Sequence, residues 1–239
     1  MAPALSALFA LLVGVATPPP GAGESCVGRG QGLYRALEMA QFEKEPEGTV
    51  RRVHEEATRA SVACPDDETL AYVRLRSAEL GRGALVGQSG PAAATEVLQL
   101  AQDAAVRFSQ SARILTVEAR LSRRIDVARR AYAADSRYVP ARVALADALF
   151  NAGDLRAAEQ ALGDKRALGA TSDGLVVLAR IKLAQGDARA ALRAANLALH
   201  RRQVDLLEPD ARNPQPAAEA TDLAARARHL LASPTRTTR

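Results

Sequence analysis

The sequence predicts an all-α protein built as an array of helical hairpins, and three observations carry that expectation. Residues 151–162 read NAGDLRAAEQAL and residues 184–195 read AQGDARAALRAA, so Gly153-Asp154 returns as Gly186-Asp187, 33 positions on. Around the first Gly-Asp, apolar residues recur at intervals of three and four: Leu145, Ala146, Leu149 and Phe150 before it, then Leu155, Ala158, Ala161 and Leu162 after it. That spacing puts each set on one face of a helix. Finally, 48% of the 239 residues are hydrophobic while aromatics make up 3% and Trp is absent, so a core has to be assembled from aliphatic residues and much Ala.

Glycine at a helix end accepts the left-handed conformation that satisfies the last carbonyls, and an aspartate beside it can cap the next helix. A link this short folds the two helices back on one another. Ala158 and Ala191 fall one turn into the second helices, where anything larger than a methyl group would push the pair apart. The copies also agree upstream: Val143, Leu145 and Ala146 precede Gly153 by the intervals at which Val176, Leu178 and Ala179 precede Gly186. A helix-turn-helix unit of this length with this small and large pattern resembles the tetratricopeptide repeat (TPR) family. Leu145, Ala146, Gly153, Asp154 and Ala158 carry the resemblance, with Leu178, Ala179, Gly186, Asp187, Ala191 and Ala198 in the next copy. Leu149 and Lys182 stand where the family places an aromatic, Gly163 interrupts a second helix, and Lys165 replaces a small residue.

The resemblance implies a right-handed solenoid of about five hairpins. It is clear over 122–203 and divergent over 26–121, where an ordinary helical bundle is the competing expectation. The earliest pair is read as GLYRALEMAQFEK and TVRRVHEEATRASVAC, joined by Glu45, Pro46, Glu47 and Gly48. Next come DDETLAYVRLRSAEL, a Gly-rich loop, and a helix opened by Pro91. SARILTVEARL and RRIDVARRAYAA supply the third pair. Residues 204–215 read as a polar linker, 216–232 as a capping helix and 233–239 as a disordered tail.

The segment 1–25 has the outline of an export signal and its linker. An apolar run from Leu5 to Ala16 is followed by Thr17 and three prolines; a membrane span needs about 20 residues. The expected location is periplasmic or secreted, with the signal cleaved. Cys26 and Cys64 are the two cysteines. A hairpin of helices near 29–43 and 48–63 brings its two ends together, which predicts a Cys26–Cys64 disulfide in an oxidising compartment.

No catalytic, cofactor or metal site is read. HEEAT at His54 lacks the second histidine of a zinc-protease helix, since Thr58 stands there, and His54 is expected at the solvent edge. CVGRGQGLY lacks the third glycine of a dinucleotide loop and reads as a flexible entry to the first helix. The net charge of +5 gathers in a basic patch of Arg113, Arg120, Arg123, Arg124 and Arg130. Without interleaved aromatics this argues against nucleic acid and leaves a solvated face or a peripheral contact with anionic envelope components.

The expected function is a non-enzymatic protein or peptide-binding scaffold of the bacterial envelope or exterior. The alternatives are a secreted polyanion-binding protein using the Arg-rich helix face and an enzyme with an unrecognised site. The resemblance implies a concave groove lined by Val143, Asp147, Phe150 and Asn151, then Asp173, Val176, Arg180 and Leu183. Chaperone adaptors of the family hold a terminal carboxylate with Lys and Asn at the positions taken here by Val143 and Asp147, so that ligand is not expected. The competing expectation is that these residues pack against a neighbouring helix or against 216–232.

Overall fold

The computed structural model describes residues 25–40, 46–81, 91–163, 171–204 and 214–232. The export segment, the Gly-rich loop, Lys165, most of the polar linker and the tail lie outside them. The described residues form eleven helices: α1 (Cys26–Ala40), α2 (Pro46–Ala63), α3 (Glu68–Leu80), α4 (Pro91–Arg107), α5 (Ala112–Ser122), α6 (Ile125–Ala134), α7 (Val139–Asn151), α8 (Leu155–Leu162), α9 (Ser172–Ala184), α10 (Ala188–Val204) and α11 (Pro214–Ala232).

Short polar side chains start these helices by taking up otherwise unpaired N–H groups. Asp67 accepts from Leu70 N at 2.8 Å, Ser111 from Ile114 N at 3.3 Å, Asp154 from Ala157 N at 2.9 Å and Asp187 from Ala190 N at 2.9 Å. The repeated Gly-Asp works as the sequence implies, for Gly153 and Gly186 take φ of +86° and +80°. Between α5 and α6 there is no glycine, and Arg123 adopts φ +56° instead.

α1 to α10 make five successive hairpins. Each first helix (α1, α3, α5, α7, α9) packs on the first helix of the next pair, and α9 packs on α11. Each second helix packs on its own partner and on the first helix that follows. The first helices thus form one layer and the second helices the other. The N-terminal half stacks in the same way as the clear repeats and is not a separate bundle.

Burial follows this order. One cluster joins Leu33, Val53 and Leu70 of α1 to α3, and the next joins Leu75, Ala101, Ile114 and Ala141. A third runs from Ala119 through Leu145 to Ile181, and a fourth joins Val176, Ala195 and Leu223. Successive clusters draw on the same helices, which makes each hairpin depend on its neighbours, as in other repeat arrays. Ala158 and Ala191 are both 0% exposed, at the crossings that their size allows.

Two boundaries correct the sequence reading. The glycines of CVGRGQGLY are not a flexible entry, because α1 begins at Cys26 with Ser25 Oγ accepting from Gly28 N at 3.2 Å. Gly30 lies buried where α1 meets α3; a methyl group there would stand 3.1 Å from Asp67 Oδ1 and 3.3 Å from Thr69 Cβ. Pro46, Glu47 and Gly48 belong to the first turn of α2 rather than to the link, since proline suits a helix start. The hairpin closes as expected: Cys26 and Cys64 are joined by a disulfide, with Cα atoms 5.8 Å apart.

Candidate partner-binding face

The face formed by the first helices carries most of the residues singled out above. Asp67, Ser111, Tyr138 and Thr171 cap α3, α5, α7 and α9. Nine residues past each cap stand Arg76, Arg120, Asp147 and Arg180. Equal spacing from the cap puts these four in one register, so they repeat along the array.

At the C-terminal end of this row Arg180 is the hub. Its guanidinium pairs with Asp147 of α7, donates to Asn151 Oδ1 at 3.0 Å and reaches Glu219 of α11 at 3.4 Å. It also lies 4.4 Å from the centroid of the Phe150 ring, a distance at which cation and ring attract. Four of the eight groove residues are therefore brought together. The others are placed differently. Val176 is 4% exposed and packs in the cluster that contains Leu223 of α11. Val143 packs partly buried against the α7 cluster and Leu183 against that of α9. Asp173 is half-buried in the first turn of α9.

Two features of the N-terminal end lie outside the sequence expectations. Glu79 bridges two registers, pairing with Arg76 on its own helix and with Arg120 of α5 at 2.9 Å. Tyr34 and Tyr72 have ring centroids 6.1 Å apart, and the Arg113 guanidinium lies 5.9 Å from each. Burial, followed by the hydrogen bond and charge of Glu38, pushes the Tyr34 hydroxyl up to about 12. Counting from the caps would have aligned the arginines, but the tyrosines meet only once α1 lies on α3.

The five arginines of the basic patch lie on α5, in the turn that follows it and on α6. Arg113 and Arg120 belong to the first-helix face just described. Arg123 forms the turn, and Arg124 holds Asp126 at 2.6 Å; that hydrogen bond lowers the Asp126 carboxyl and raises the Arg124 guanidinium. Arg130 is exposed on α6, where its charge acts on Glu118. His54 is set deeper than the solvent edge. Its Nδ1 lies 3.1 Å from Ser77 Oγ and 3.2 Å from the Arg74 carbonyl, and burial lowers its pKa, with the Arg74 charge adding to the effect.

Among the described residues no group of three or more His, Cys, Asp or Glu is placed to hold a metal ion, and no helix is long and apolar enough to cross a membrane. No family model matches the sequence, and neither does any curated protein. Among solved structures the chain is similar to a thermophilic TPR protein of Thermus thermophilus, at 19% identity and a TM-score of 0.54, over 84% of this chain and 98% of that one. The likeness shows the fold: an all-α, TPR-like right-handed helical array, here with α11 as its closing helix.

Proposed function

We propose that the protein is a non-enzymatic scaffold that holds a segment of a partner protein along the first-helix face, and that it works in the bacterial envelope or exterior after export. The observation that carries the reading is the cluster of three polar side chains around one aromatic ring, Asp147, Asn151 and Arg180 with Phe150, on one layer of stacked helices. An extended or amphipathic segment laid across such a cluster gains apolar contact from the ring. Its register is fixed by the charges and by the Asn151 amide. The disulfide between Cys26 and Cys64 supports the location, because such bonds persist in oxidising compartments.

The test places a photo-crosslinking residue at Asn151, exposed on the first-helix layer, and separately at Arg193, exposed on the second-helix layer. In an envelope extract the Asn151 position is expected to give one saturable crosslinked band that Phe150→Ala weakens. Equal crosslinking from both positions, or from Arg193 alone, rules the reading out.

A further inference from the structure

We propose that the cleft between α2, α3 and α4, on the opposite side of the array from the partner row, binds a small carboxylic acid with an apolar body. The cleft has a volume of about 300 Å³. Its origin lies in the repeat pattern. Seven residues past the cap, α7 and α9 carry Leu145 and Leu178, and Leu145 belongs to the core cluster between its neighbours. α3 carries Arg74 at that position, with only Ser61, Ala71 and Ala104 around it to fill the space.

The lining divides into an apolar wall and a charged floor. Val62, Pro65, Ala71 and Phe108 supply the wall, and Val62 is 82% exposed at its rim. On the floor, Arg74 Nε is shut away from solvent and has no hydrogen-bond partner. Its guanidinium charge, half-buried at the cleft and without an ion pair among the described residues, is open to an anion. The other two charged residues of the lining, Arg107 and Asp103, are opposite in sign and each has a hydrogen bond of its own. Arg107 donates to the Pro65 carbonyl at 3.1 Å and stands 4.0 Å from Asp66, while Asp103 accepts from Gln99 at 2.8 Å. Among the described residues Arg74 forms no ion pair. A carboxylate is planar and suits the fork of a guanidinium, and the wall takes up the rest of the molecule. The volume matches a single ring or short alkyl chain rather than a polymer.

The experiment is an NMR titration of the oxidised full-length chain with 3-phenylpropionate, with its neutral amide, and with a tripeptide ending in phenylalanine. The free acid is expected to shift signals of residues 61–74 and 103–108 saturably in the millimolar range, as suits so small a ligand, and to bind about tenfold tighter than the amide. Arg74→Met should erase that difference, while Arg130→Met, on the far helix α6, keeps it. Ser61→Leu fills the cleft and should abolish binding with the fold intact, because Ser61 Oγ bonds only the Ala57 carbonyl of its own helix. An acid that shifts nothing in the cleft overturns the proposal. So does an amide that binds as well, an acid that still outbinds the amide in Arg74→Met, or a tripeptide that binds more tightly than the free acid.

Discussion

The hairpins α1–α6 and the hairpins α7–α10 share one stacking plan but reach it with different residues. Seven and eight positions past the cap, α7 and α9 carry Leu145-Ala146 and Leu178-Ala179, whereas α3 and α5 carry Arg74-Leu75 and Glu118-Ala119. The C-terminal hairpins turn on Gly153 and Gly186, whereas the α5–α6 turn forces Arg123 into the left-handed region. The N-terminal half also contains the disulfide, which the C-terminal half lacks. A repeat can thus lose its consensus at the helix crossing and in the turn while its neighbours, and a covalent link, keep it in register.

The largest expected effect of breaking this comparison is on the disulfide. It closes a loop with a sequence separation of 38, which corresponds to about 4 kcal/mol in the chain-entropy model. Cys26→Ser with Cys64→Ser should lower stability by that order. Hydrogen exchange should locate the loss in α1 to α3 and leave α7 to α10 protected. Uniform loss along the chain would mean that the two halves do not differ in how they are held.

Next comes close packing in the C-terminal half. Ala158 and Ala191 are completely buried, so Ala158→Leu and Ala191→Leu should each cost about 1–3 kcal/mol in chemical denaturation. Ala133→Leu, at an exposed site on α6, should stay within about 0.5 kcal/mol.

These alanines also show what could be read in advance. The Gly-Asp turns, the small residues at the crossings, the closing helix and the Cys26–Cys64 pairing all follow from local rules of capping, spacing and hairpin return. The N-terminal half was less legible because Arg74 and Glu118 break the apolar spacing at core positions, and because Gly30, which lets α1 approach α3, looks the same in a sequence as a flexible glycine. In the candidate face, Asp147, Asn151 and Arg180 come from the resemblance to the TPR family and the groove that it implies. The contact of Arg180 with Glu219, like that of Val176 with Leu223, falls under the competing expectation that these residues pack against 216–232.

Glu118 tests the N-terminal exception directly. It is 5% exposed, one carboxylate oxygen has no hydrogen-bond partner, and burial raises its pKa above 4.5 despite the lowering effect of Arg130 and Arg124. The folded chain therefore holds this proton to higher pH than the unfolded chain does. Glu118 disfavours folding least below its unfolded value and most once the pH has risen past its folded one. Glu118→Leu, which restores the residue of α7 and α9, should stabilise the protein by about 1–2 kcal/mol at neutral pH. That gain should shrink as the pH falls towards about 4. A gain that does not vary with pH would assign the effect to packing instead of charge.

The turn gives the smallest effect and the sharpest comparison, since it can be probed in both directions. Gly153 has φ +86° with no atom near the place of a Cβ, so Gly153→Ala changes backbone strain and nothing else. Arg123 occupies the same region at φ +56° and is exposed, so Arg123→Gly relieves strain while removing no buried contact. A non-glycine residue in this region costs about 1 kcal/mol, but glycine also loosens the unfolded chain, which offsets part of that difference in either direction. Gly153→Ala should therefore destabilise, and Arg123→Gly stabilise, each by less than about 1 kcal/mol, both measured at low salt and again at high salt. A stabilisation by Arg123→Gly that disappears at high salt would mean that removal of one positive charge from the α5–α6 turn, and not backbone relief, is the cause. A gain that survives salt would show that the divergent hairpin carries a turn defect that the Gly-Asp hairpins avoid.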